Sequence, residues 1–182
     1  MDNQILLDEL LCVAKQKYPL VQGKLIQPQQ LIFQEWVKMS CFYCGKYNSN
    51  WKCPPRLPEK IDFEKMVREF PVGAFIFSRT PFSEKDYGEV RNTSSLHLHK
   101  AILMMENHLW KNNITKYLSF IGGSCKLCKN GCGKEKCNNP YQARTPLEAI
   151  GVDVIDSAMQ YGIAIHFPPE KSILRLGLIL WK

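Results

Sequence analysis

Four thiols packed into thirteen residues, Cys125-x2-Cys128-x3-Cys132-x4-Cys137, constrain this chain more than any other feature of its sequence. Gly131 and Gly133 lie among them, and glycine lets a backbone take tight turns while leaving amide groups free to point at sulfur. So dense a set of thiols reads as a metal-binding loop. Four thiolates suit a four-iron iron–sulfur cluster, and they also suit tetrahedral zinc. The spacing is close to the bacterial ferredoxin run, with the proline, here Pro140, displaced by two residues.

A second set lies upstream. Cys41-x2-Cys44-x8-Cys53 offers three thiols and is followed by Pro54-Pro55. A three-thiol centre leaves a coordination position for water, a small ligand or a distant side chain, and an open position is what separates reactive metal sites from closed structural ones. The bland alternative is a structural site completed by Cys12, by a histidine or by a cysteine of the other set. The eighth cysteine, Cys12, falls on an amphipathic segment and reads as a buried thiol rather than a ligand.

The thiols are not needed as staples. A chain of 182 residues with 45% hydrophobic residues can bury an ordinary core as one domain, residues 1–182. The start of the chain, Met1 to Leu10, is acidic and amphipathic rather than basic and apolar, and no apolar run approaches the ~20 residues that span a bilayer. A cytoplasmic location without membrane contact is therefore expected, and a reducing compartment favours metal over disulfides.

The formal charge is +7. Seven thiolates around two oxidised four-iron cores of about +2 each would lower that total to about +4. Lys126, Lys129, Lys134 and Lys136, which surround the second set, are accordingly read as countercharge or as a docking surface for an acidic redox partner. Nucleic acid is disfavoured, because a zinc knuckle of this size has histidine where Cys132 stands.

Periodicity predicts a helix over residues 3–17, a strand over Leu31–Val37 leading into the first cysteine set, and a short helix over 62–70. A buried strand follows at Val72–Phe77. Asn92, Thr93, Ser94 and Ser95 offer caps for the longest helix, whose apolar face is Leu98, Ile102, Met105 and Leu109. A strand over Lys116–Ile121 leads into the second set. Thr145-Pro146-Leu147-Glu148 has the capping-box pattern of a short helix, and Asp153 caps another to Gly162. Strands over Ile163–Phe167 and Ile173–Trp181 read as a closing hairpin. The expected class is α/β or α+β, a single mixed sheet layered with helices, with both cysteine loops following strands.

Three blocks together resemble an uncharacterised family of predicted metal-binding proteins. They are Cys41-Phe42-Tyr43-Cys44-Gly45-Lys46-Tyr47-Asn48-Ser49-Asn50-Trp51-Lys52-Cys53-Pro54-Pro55, then Gly122-Gly123-Ser124-Cys125-x2-Cys128, then Ala143-Arg144-Thr145-Pro146-Leu147-Glu148-Ala149-Ile150-Gly151-Val152-Asp153-Val154. The resemblance implies metal binding through Cys41, Cys44, Cys53, Cys125, Cys128, Cys132 and Cys137, and it carries no reaction with it.

Other residues weigh less. His97 and His99 are two apart on one predicted helix and face different sides, while His108 and His166 remain candidates for a fourth ligand. Arg79, Arg91 and Arg144 stand beside strand ends and helix starts, where anions bind, and spacing does not say whether they converge. Tyr47 and Trp51 are placed to shield the first centre from water. Neither a Walker loop nor G-x-G-x-x-G occurs, so no reaction is assigned. The leading reading is an iron–sulfur protein, with one or two four-iron centres, serving a redox partner protein or holding a small ligand at an open iron. The alternative is a zinc-stabilised binding module for nucleic acid or protein.

Overall fold

A computed structural model describes residues 2–182. In chain order the elements are α1 (Asn3–Lys15), β1 (Val21–Ile26), α2 (Glu35–Tyr43), α3 (Phe63–Arg68), β2 (Val72–Pro81), α4 (Tyr87–Lys111), β3 (Tyr117–Phe120), α5 (Val154–Met159) and β4 (Ser172–Trp181). The four strands form one sheet in the order β1-β2-β4-β3, with every pairing antiparallel. This is the expected class, a single sheet layered with helices.

Both faces of the sheet are covered. On one, Ala74, Ile76, Ile179 and Trp181 pack against Leu6, Leu7 and Leu10 of α1 and Leu98, Ile102, Met105 and Leu109 of α4. On the other, Phe75, Leu176, Leu178 and Leu180 meet Val67 of α3, Ala158 of α5 and Leu147, Ile150 and Val152 of the segment before it. Burial on both faces explains why β4 reads as an almost unbroken apolar run rather than an alternating one. The helix starts are set by side-chain caps: Asp2 accepts from the Gln4 amide at 2.8 Å, Asp62 from Lys65 at 2.9 Å, and Asp153 from Ile155 and Asp156.

Three expectations need correction. Leu31–Val37 is not a strand: only Phe33 forms an isolated bridge, to Val152, and the helix α2 begins at Glu35 and runs through Cys41. Glu35 favours a first helical turn and pairs with Lys38 at 2.9 Å, while a single residue, Val37, is buried. The first cysteine loop therefore leaves a helix, whereas the second leaves β3 as expected. Residues 163–167 form no strand, so there is no closing hairpin; β4 pairs instead with β2 and β3, far away in sequence. Pro168 and Pro169 lack the amides a ladder would use. Finally, α4 starts at Tyr87, so Ser94 and Ser95 lie buried inside the helix rather than at its cap.

β1 escaped the sequence pattern because Gly23 and Lys24 interrupt it. At Gly23 α1 packs close over the strand, since a Cβ there would lie 2.9 Å from Leu7 Cδ1. Among the described residues no helix is long and apolar enough to cross a membrane.

Candidate metal centre

The first cysteine loop grows out of the end of α2. Cys41 sits in its last turn and Cys44 caps it, its amide bonding to Cys41 O at 3.4 Å. Gly45 and Asn48 take left-handed conformations, with φ of 71° and 57°, that turn the chain back. The Cys53 amide then bonds to Asn50 O at 3.2 Å, closing the loop.

The second loop leaves β3 through Gly122, which no other residue can replace without movement. A Cβ there would lie 2.2 Å from the backbone oxygen of Leu176. Gly122→Ala is expected to cost about 1–3 kcal/mol and to displace the loop entrance, read as a lower denaturation midpoint. Gly123 and Gly131 have φ of 73° and 81°, and the Gly131 amide bonds to Cys128 O at 3.2 Å. Asn139 Nδ2 donates to the sulfur of Cys128 at 3.1 Å. At the loop's exit Arg144 pairs with buried Glu106 of α4, and its remaining nitrogen donates to Tyr141 O at 2.9 Å and Ala143 O at 3.1 Å.

The two loops are fastened to each other. Asn50, only 7% exposed, donates through Nδ2 to Cys125 O at 3.1 Å, and Trp51 donates through Nε1 to Gly133 O at 2.7 Å. Trp51 is half-buried beneath the Arg56 guanidinium, which lies 4.2 Å over its ring. Tyr47 is exposed and packs edge-on against Phe42 instead, so of the two aromatics only Trp51 is turned inward.

One segment stitches both loop entrances to the core. Ile121 N bonds to Thr145 O and Leu147 N to Ile121 O, both at 3.0 Å, while Gln34 N bonds to Gly151 O at 2.9 Å and Asp153 N to Ile32 O at 2.8 Å. Between these ties lies a 3-10 turn, Glu148–Ile150, in place of the expected capping-box helix. Glu148 is thereby freed from capping. Its Oε2 accepts from the Gly123 amide at 3.4 Å, and its charge helps to raise the pKa of Cys41 and Cys53. Burial pushes that carboxyl above its ordinary range, although Gly123 and Arg175 oppose the shift. Sequence reasoning missed Glu148 as a member of the site; its signal was its place in the third resembling block.

None of the eight cysteines is in a disulfide. Cys53 has its pKa pushed up to about 12, chiefly by burial and then by Cys41, Cys44, Glu148 and Cys125. Burial, Glu148 and Cys44 raise Cys41; burial raises Cys125, and Cys132, Cys128 and Cys137 add to it against an amide from Leu127. The two cysteine loops are linked at Asn50, whose backbone oxygen accepts from the Cys53 amide and whose side chain donates to Cys125 O. Among the described residues no three His, Cys, Asp or Glu side chains converge as ligands of a single ion. Instead Cys125, Cys128, Cys132 and Cys137 line a cavity of about 500 Å³ together with Asn50 and Asn139. Lys46, Lys52, Lys126 and Lys129 also line it. Burial, with Lys46, Arg175 and Arg91, pushes the Lys126 ammonium below its ordinary value.

The remaining candidates lie elsewhere. Cys12 is exposed on α1, not buried. His99 is a core residue, its Nε2 2.9 Å from Gln142 O and its pKa lowered chiefly by burial. His108 faces Glu9 at 3.6 Å. His166 lines a different cavity, with Arg79 and Arg91, so those two arginines do converge, while Arg144 is held by Glu106.

Neither a curated protein nor a solved structure matches this chain. A family model described as "Predicted metal-binding protein (DUF2284)" matches residues 24–181, a span that includes both cysteine loops and leaves out Cys12. The chain belongs to this family of predicted metal-binding proteins.

Proposed function

We propose that this chain is an iron–sulfur protein with two adjacent thiol-ligated centres, one held by Cys41, Cys44 and Cys53 and the other by Cys125, Cys128, Cys132 and Cys137, serving electron transfer. The observation that carries the proposal is the cavity of about 500 Å³ walled by all four thiols of the second loop. Four soft thiolates facing one space are the donor set of a four-iron core. A four-iron cluster, when bound, supplies one-electron chemistry at a potential set by charge, hydrogen bonds to sulfur and solvent exposure.

This chain's own residues act on each of those settings. Asn139 gives the Cys128 sulfur a hydrogen-bond donor. Trp51 keeps water from the seam between the loops. The lysines lining the cavity offset thiolate charge. Asn50 and Trp51 hold the loops together, so that Cys53 and Cys125 are neighbours and an electron entering at one centre is near the other. The three-thiol set keeps one position free of cysteine. Glu148, whose charge acts on both Cys41 and Cys53, is the candidate to serve there or to hold a proton for a small ligand.

The test is metal and acid-labile sulfide content of protein purified without oxygen, with a visible spectrum on the same sample. About eight iron and eight sulfide per chain are expected. One or two zinc per chain with no sulfide and no colour would overturn the redox reading in favour of a zinc-stabilised binding module.

A further inference from the structure

A second cavity, of about 670 Å³, opens beside the first residues of β4. Four separate segments supply its polar wall: Arg79 from β2, Tyr87 and Arg91 from the first turns of α4, Arg175 from β4, and His166 from the loop before β4.

The arginines are held, but not neutralised. Arg175, half-buried, donates from a terminal nitrogen to Arg91 O at 2.7 Å, and its Nε lies 3.3 Å from Ser94 Oγ. Arg79 donates to Ala164 O at 2.8 Å. These partners are uncharged. Among the described residues none of the three guanidiniums forms an ion pair with a carboxylate, and the Arg91 side chain has no hydrogen-bond partner. Glu170 is the acidic residue of the lining and is offset by Lys171, while Glu148 acts on Arg175 from outside the cavity. Burial and the adjacent Arg91 guanidinium both push Arg175 below its ordinary pKa, so its charge is held at a cost.

Like charges gathered in a partly enclosed space are relieved by an anion, and guanidinium forks match the paired oxygens of carboxylate and phosphate. We propose that the cavity bordered by Arg79, Arg91 and Arg175 is a binding site for a small organic oxyanion, a carboxylate or phosphate ester. The volume falls within the range of small-molecule sites, ~300–1,000 Å³, and is too confined for a folded partner. Ile165, Phe167 and Leu174 give the other wall an apolar surface, which suits a ligand with a hydrocarbon or aryl part rather than a bare inorganic ion. The site stands whether the thiol loops hold iron or zinc.

The test is calorimetric titration of the protein as isolated, its metal content unchanged, with phenyl phosphate and with benzoate, chloride holding ionic strength constant. Saturable binding of at least one probe is expected, and the tighter of the two identifies the oxyanion. Arg91→Gln removes a guanidinium with no partner in the fold, so it should leave the melting temperature in place and weaken binding roughly tenfold or more. Arg79→Gln should weaken it in the same direction. No saturable binding of either probe would overturn the site. So would binding unchanged in both variants, or Arg91→Gln lowering metal content with affinity untouched, which would make these arginines countercharge for the metal centre.

Discussion

Cys128→Ser is expected to remove one whole centre, taking iron from about eight to about four per chain and sulfide with it. Serine offers a hard oxygen with a high pKa where the site needs a soft thiolate, so the change is not conservative at this position. It also removes the sulfur that Asn139 Nδ2 contacts at 3.1 Å. Because ligand thiols must lose their protons on binding, and burial holds Cys125 and Cys53 toward the protonated form, loading of either centre should weaken as pH falls. The sheet should survive the loss. None of the buried core residues lies between Gly122 and Gln142; the loop is held by Asn50, Trp51, Arg144 and, on this reading, by its metal. Far-UV circular dichroism should therefore change little, while limited proteolysis within residues 122–142 accelerates. Unchanged iron in Cys128→Ser would overturn the ligand assignment. Cys12→Ser is the matched control: Cys12 is exposed on α1 and lies outside the residues the family model matches, so iron should stay as it was.

The thiols and the helices were legible in the sequence for the same reason: each signal is local. Leu6, Leu10 and Ala14, or Leu98, Ile102, Met105 and Leu109, state their buried face within a few turns, and the cysteine spacings state a loop. What stayed hidden depends on partners far along the chain. Leu31–Val37 has strand-forming residues, but it meets only Val152, and α2 takes over from Glu35. The adjacency of the two cysteine loops rests on hydrogen bonds across 75 and 82 residues, which no spacing within either loop encodes. Glu148 reads as a capping residue until Thr145 and Leu147 are seen bonded to Ile121, which commits the turn to the loop entrance and leaves the carboxylate beside Cys41. Arg175 reads in the sequence only as a charge interrupting an apolar run; its meaning comes from Arg91 and Ser94, on a helix more than 80 residues away.

Arg144→Ala should destabilise the fold by about 3 kcal/mol, near the lower end of the ~3–5 kcal/mol typical when one partner of a buried ion pair is removed. Glu106 is 4% exposed on α4. Its carboxylate takes two guanidinium nitrogens, Nε at 2.7 Å among them, and also the Ser119 hydroxyl of β3. Without Arg144 a buried carboxylate keeps only a hydroxyl partner. The lower end applies because Arg144 retains 22% side-chain exposure, so water already screens part of the attraction. The double replacement Glu106→Leu with Arg144→Met removes both charges at similar volume and should recover most of the lost stability in urea denaturation. It should not recover the second centre. Tyr141 O and Ala143 O would still lack the donor that fixes the exit of the loop, so iron should fall below the wild-type level even as the midpoint returns. If stability and iron return together, Arg144 matters only as the partner of Glu106; if stability alone returns, it also positions the four thiols.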